Sequence, residues 1–301
     1  MDAVGSAEMA NDAPERDPAS STRGRVKLGP ADAAIFETFV VPRYLSLFGD
    51  LAIEMLVESD DAQVFHMHCR TGYPDRGIAM RLPGAHFYGC DFSPSALELA
   101  RAKASTMAGM IADYRLFDGY PVPLPATAFS HAITIHPLAN LEERARTLTE
   151  FGRLLAPHGQ ALVAMPLRGS FQELADLLRE YALKFEADAI VKALDSAMLI
   201  RPTVEMFGAE LEEAGFQYVD VEVRTHTLKF RSGRDFFEDP VVRLLILPEV
   251  RFNLGMPLDA DKGETPDAPM AYIREAIDKY WSDGTFELTV NVGCASGRRL
   301  E

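Results

Sequence analysis

Residues 88–101 read Tyr88-Gly89-Cys90-Asp91-Phe92-Ser93-Pro94-Ser95-Ala96-Leu97-Glu98-Leu99-Ala100-Arg101. The apolar run His86–Cys90 has the length and bounds of a strand, and Asp91 stands at its carboxyl end. Ser93 then occupies a helix-capping position with Pro94 at the first helical residue, which predicts a helix to about Ala108. A strand that ends on an acid and turns at once into a helix is one unit of an α/β sheet, with the acid facing the crevice where such sheets bind ligands.

The same grammar extends on both sides. Strands are expected at Gln63–His68, Asp113–Phe117, Ala128–Ile135 and Gln160–Met165, with a helix at Leu141–Leu155. This alternation predicts a mostly parallel sheet covered on both faces. Towards the N-terminus, helical spacing begins at Ala31, and a second helical stretch runs from Pro42 to about Val57. Residues 1–30 are rich in Ala, Asp, Ser and Pro without periodicity and are expected to be a disordered acidic tail. Residues 31–301 are expected to form one domain. In its second half, helices at Ser170–Ala182, Thr203–Ala214 and Ala271–Trp281 join a long strand, Phe216–Phe230, and a last strand, Gly284–Val292. Asp259–Pro269 reads as a polar loop. Helical insertions at about 170–214 and 233–282 could cover a substrate or form an interface.

Composition narrows the function. The chain has 301 residues, 48% of them hydrophobic, and a formal net charge of −15. An acidic surface is poorly suited to a phosphate backbone, so no nucleic-acid partner is expected. The chain shows neither a basic amphipathic helix nor an apolar run of about 20 residues, and no membrane partner is expected. Three scattered cysteines, Cys69, Cys90 and Cys294, argue against a disulfide framework. With no apolar signal core at the N-terminus, the expected location is cytoplasmic.

The 88–101 stretch resembles the second-strand signature of the class I S-adenosylmethionine-dependent methyltransferases: Gly-x-Asp, then Ser-Pro, then a helix ending in Ala-Arg. Two further blocks are similar. Leu116-Phe117-Asp118-Gly119, followed by Pro121-Val122-Pro123-Leu124-Pro125, resembles the family's third-strand segment. Leu154-Leu155-Ala156-Pro157-His158-Gly159 resembles the turn before its fifth strand, with His158 in place of one glycine. The resemblance spans residues 35–230 and implies a Rossmann-like seven-stranded sheet completed by the strand near 285–295. It implies S-adenosylmethionine as cofactor and a small-molecule methyl acceptor. Asp91, with Phe92 after it, is then expected on the ribose side, and Asp118 with Gly119 on the adenine side. The insertion after Ser170 is similar to that of small-molecule methyltransferases, including the carboxyl methyltransferases of biotin synthesis.

The family's cofactor loop reads apolar–apolar–acid–x–Gly–x–Gly–x–Gly. Here it is Val64-Phe65-His66-Met67-His68-Cys69-Arg70-Thr71-Gly72, so the acid is His66, two glycines are His68 and Arg70, and only Gly72 is kept. Glycine permits left-handed backbone angles and close ligand approach. An imidazole at 68 would fill space meant for the methionine part of the cofactor, and a left-handed backbone there would add about 1–3 kcal/mol of strain. Arg70 opposes the following helix dipole but could pair with a carboxylate or phosphate.

Ser130 stands where the family has an acid in its fourth strand. His136 follows that strand and is the candidate general base. His66 and His68 share a strand face and could join Asp91 or His136 around a metal. No third and fourth ligands stand at a recognisable spacing, so no metal is expected. Two functions remain open. One is an active methyltransferase acting on a small-molecule oxygen or nitrogen. The other is a catalytically inert protein of that fold, serving as a binding or regulatory module with weakened or lost cofactor binding.

Overall fold

The computed structural model describes residues 27–137, 140–256 and 268–301. Its frame is a seven-stranded sheet in the order β3-β2-β1-β4-β5-β7-β6. The strands are β1 (Gln63–Met67), β2 (His86–Asp91), β3 (Ile111–Leu116), β4 (Phe129–Ile135), β5 (Leu155–Pro166), β6 (Gln217–Phe230) and β7 (Phe286–Arg298). The first five run parallel, and β7 lies antiparallel between β5 and β6. All seven strands fall where the apolar runs predict them.

The helices are α1 (Pro30–Ile35), α2 (Ser46–Glu54), α3 (Asp75–Arg81), α4 (Pro94–Ser105), α5 (Leu141–Leu154), α6 (Gln172–Lys184), α7 (Asp188–Ile200), α8 (Val204–Glu213), α9 (Gly233–Glu238), α10 (Leu247–Asn253) and α11 (Ala268–Tyr280). Wider π-helical segments, Phe36–Leu45 and Val242–Ile246, join α1 to α2 and precede α10.

Alternation along β1 explains why both sheet faces are covered. Val64 joins the core under the N-terminal helices, while Phe65 and Met67 enter the opposite core. There the Phe65 ring packs 5.5 Å from Phe129 and 6.1 Å from Phe151, centre to centre. Burying a side chain of this size contributes about 1.5–3 kcal/mol.

Several boundaries differ from the expectation. Residues 1–26 of the expected tail lie outside the described residues, but Leu28 is buried and Pro30 opens α1, so the packed chain begins before Ala31. Pro42 does not start a new helix; it lies inside the π-helical segment. The wider helical register there tolerates a residue without an N–H. Strand β5 begins at Leu155 rather than Gln160, and the Pro157-His158-Gly159 turn forms an irregularity between Phe129↔Leu155 and His131↔Gln160. His158 takes a positive φ of 65° there, in the place of a glycine. Helices α3 and α7 carried no separate expectation. The expected loop 259–269 lies largely outside the described residues, and its last residue, Pro269, already belongs to α11. Ser93 stands at the N-cap of α4 without capping it, because its hydroxyl donates to Leu28 O at 2.8 Å.

Candidate functional site

Strand β1 ends at Met67, and the chain turns beside the carboxyl ends of β2 and β4. The turn keeps left-handed angles at all three alternate positions: φ is 56° at His68, 48° at Arg70 and 74° at Gly72. Two of these residues carry a Cβ, and single non-glycine residues in this region cost about 1–2 kcal/mol each. At Gly72 space forbids the replacement as well. A Cβ there would lie 3.1 Å from Ala100 Cβ on α4 and from Tyr114 Oη.

The carboxylate expected to meet ribose is committed within the protein. Asp91 is 1% exposed, and its Oδ2 accepts the Arg70 N–H at 3.1 Å while its Oδ1 accepts the Ser93 N–H at 2.9 Å. The Arg70 guanidinium crosses to β4, with Nη1 donating to Ile135 O at 2.8 Å and Nη2 to His136 O at 2.7 Å. The ring of Phe36 lies beneath it, 5.8 Å from the guanidinium carbon. Arg70 therefore ties β1, β2 and β4 together at their carboxyl ends.

His68 is turned the other way, and its side chain is wholly buried. Its Nε2 lies 3.3 Å from Glu143 Oε1 in the first turn of α5, and its ring meets Phe117 edge-on at 5.2 Å. Tyr120 Oη donates to the same Glu143 oxygen at 3.1 Å. The cap of α5 is Asn140, whose side chain accepts from Glu142 N and Glu143 N. That cap fixes the carboxylate facing His68.

His66, which replaces the family's acid, lies beneath the loop. Its Nδ1 is 2.6 Å from Asp75 Oδ1, and Tyr114 Oη donates to Asp75 Oδ2 at 2.7 Å. Asp75, at the start of α3, is fully buried. The acid is thus not lost from this region; it stands nine residues further on. Burial, reinforced by Asp75, pushes the Tyr114 phenol far above its ordinary pKa, so it donates as a neutral hydroxyl.

His136 is buried with φ 52°, and its Nε2 lies 3.0 Å from Tyr44 Oη on the N-terminal π-helical segment. Phe48 packs edge-on against the same ring at 5.3 Å. Burial first, and then Glu249, raise the Tyr44 pKa well above the ordinary phenol value. Asp118 is exposed at the end of β3, Phe92 is half-buried, and Gly119 has φ 126°. The geometry therefore joins Asp91, Arg70 and His136 through hydrogen bonds and leaves Asp118 on the rim. Ser130, at the position of the missing fourth-strand acid, bonds to Gln63 N and O and braces β4 against β1. Tyr44, Asp75, Tyr114 and Glu143 were not singled out from sequence. The nine-residue spacing of Asp75 from His66 is the one local signal that could have found a partner.

Among the described residues no three His, Cys, Asp or Glu side chains group as metal ligands. No helix among them is long and apolar enough to cross a membrane.

A family model described as a methyltransferase domain matches residues 66–163, starting within the loop itself. The chain is 27% identical to the demethylmenaquinone methyltransferase of Thermus thermophilus over 206 residues, covering 64% of this chain and 93% of that protein. Among solved structures it resembles a Haemonchus contortus phosphoethanolamine N-methyltransferase 2 bound to phosphomonomethylethanolamine and S-adenosylhomocysteine. That match has a TM-score of 0.54 at 14% identity and covers 96% of this chain and 62% of the other. It also resembles a protein of Bacillus halodurans assigned as a methyltransferase, with a TM-score of 0.52 at 15% identity over 84% of this chain and 99% of that one. Over residues 66–163 the chain is therefore similar to methyltransferase domains, and its sheet shares their fold. The turn after β1 carries histidine and arginine at positions 68 and 70, where the resemblance implies glycines.

Proposed function

We propose that this is a methyltransferase-fold protein whose S-adenosylmethionine binding is weakened or lost, and which acts as a small-molecule binding module. One observation carries the reading: the residues that would hold the cofactor bond to one another. Asp91 holds the backbone of Arg70 and Ser93, the Arg70 guanidinium holds the carbonyls of β4, and His68 is packed against Phe117 and Glu143. A ligand entering here would have to break two charge-assisted hydrogen bonds of Arg70, each worth about 1.5–3 kcal/mol. It would also have to expel the imidazole of His68. Each 1.4 kcal/mol costs about tenfold in affinity, so a micromolar site becomes millimolar or weaker. The residues present do not fit the group.

A second reading rests on the Tyr44–His136 contact of 3.0 Å. A buried phenol on an imidazole can hold or pass a proton at Nε2, as an acceptor-side general base would require. This arrangement supports retained chemistry on a small oxygen or nitrogen acceptor.

Thermal unfolding with S-adenosylhomocysteine at about 1 mM separates the two, because a ligand at a hundred times its Kd adds about 2.7 kcal/mol of stability. The binding-module reading expects no rise in Tm. A rise that disappears in Asp91→Ala would favour the enzymatic one.

A further inference from the structure

Beyond the carboxyl end of β5, α6, α7 and α10 enclose a cavity of about 60 Å³. Its walls are apolar: Leu174 and Leu178 from α6, Leu194 and Met198 from α7, and Val250 and Leu254 from α10 and the turn after it. Phe171, held at φ 62° just before α6, contributes its ring.

Against this apolar body stand two guanidinium groups. The Arg201 guanidinium carbon lies 4.6 Å over the Phe171 ring, and Nη1 reaches Ser170 O at 3.3 Å. Its Nη2 pairs with Glu249, while its Nε is buried with no hydrogen-bond partner among the described residues. Arg168 donates only to Arg201 O at 3.3 Å and to Met206 Sδ at 3.4 Å. No described carboxylate lies within ion-pair distance of it. At the rim, Arg179 is matched by Asp176 and Asp195. The pocket thus combines apolar walls with one cation that has no counter-charge, and one buried N–H that has no acceptor, among the described residues. In a chain of net charge −15 that combination is specific. A buried donor without an acceptor, and a guanidinium without a carboxylate, are both relieved by an anionic oxygen.

We infer that this pocket binds a small amphiphilic carboxylic acid, its carboxylate at Arg168 and Arg201 Nε and its apolar body between α6, α7 and α10. The inference rests on the reading of the chain as a small-molecule binding module and names the chemical class of that molecule.

The test uses the full chain and three probes of equal length: decanoate, 1-decanol and decylamine, titrated by calorimetry. Decanoate is expected to bind at least about tenfold more tightly than decanol, and decylamine more weakly still. Arg168→Gln should bring decanoate and decanol to within about threefold of each other. Ala197→Trp should abolish binding of both by filling the pocket from α7. Ala175→Phe blocks from α6 and serves if the first variant loses its cooperative thermal transition. Equal affinity for acid and alcohol overturns the inference. So does undiminished decanoate binding in a folded blocking variant, or no decanoate binding by the native chain. S-adenosylhomocysteine titrated alongside keeps the two claims apart. Its tight binding would overturn the module reading alone, whereas silence of decanoate would overturn the lid pocket alone.

Discussion

The loop after β1 and the pocket under α6, α7 and α10 solve opposite problems with the same residue type. In the loop, arginine is an internal strut: Arg70 spends its donors on β4 carbonyls, and its own N–H closes the carboxylate of Asp91. In the pocket, Arg168 and Arg201 keep donating capacity that no other described residue takes up. One region satisfies its own hydrogen bonds; the other leaves donors unmatched among the described residues. What a binding site requires is therefore less a family signature than an unmet demand for hydrogen bonds beside an apolar surface.

The largest effect should come from the buried network under the loop. Asp75→Ala leaves His66 Nδ1 and the Tyr114 hydroxyl without their shared acceptor, and removal of one partner from such a buried set costs about 3–5 kcal/mol. Urea unfolding should show that loss, and a change under about 1 kcal/mol would mean the network does not hold the loop. Glu249→Gln in the lid should cost less, because Arg201 keeps its contacts with Ser170 and Phe171.

The next test reads the strain in the turn. Gly72→Ala should destabilise by about 1–2 kcal/mol, since its φ of 74° and the approach of Ala100 both oppose a Cβ. His68→Gly acts in the other direction on backbone strain, recovering about 1 kcal/mol of it while giving up the packing on Phe117. If both substitutions destabilised equally, left-handed strain at position 68 would not be a feature of this loop.

Much of the frame was legible in the residues. Apolar runs located every strand, and the Asp91–Pro94 stretch located the crossover from β2 to β3. Helix α3 escaped because it is short and carries Gly77 at its centre, a weak helical signal. The early start of β5 escaped because Pro157 and Gly159 read as a turn, while pairing with β4 and β7 overrides local preference. The half-changed loop was visible as sequence, but its meaning was not. Whether His68 and Arg70 face a ligand or other side chains depends on Glu143, Phe117 and the carbonyls of β4, all more than 45 residues away in the chain. Side-chain partners so distant leave no periodicity to read.

Acid should weaken the sheet through His131, near the amino end of β4. Its Nδ1 meets Ser130 Oγ at 2.9 Å and its Nε2 meets Val57 O at 2.9 Å, and burial lowers its pKa from the ordinary 6.5. The unfolded chain therefore binds the proton first. The stability this group contributes is full above about pH 6.5 and falls as the pH drops towards the folded value. His131→Gln should flatten that part of the stability profile, and an unchanged acid slope would count against it.

Smallest of all should be the native reactivity of the thiols. Cys69, Cys90 and Cys294 are buried, and burial drives the Cys69 and Cys294 pKa values upward. A thiol reagent at about pH 8 should label none of the three in the native chain and all three after unfolding. Rapid labelling of Cys69 alone would indicate a loop that opens readily.

The self-occupied crevice is tested most directly by calorimetric titration of S-adenosylmethionine into the native chain and into the His68→Gly/Arg70→Gly double variant, side by side. The native chain should show no saturable heat up to about 1 mM, and the variant should gain at least about tenfold in affinity. Micromolar binding by the native chain, or a variant no tighter than it, would contradict the account.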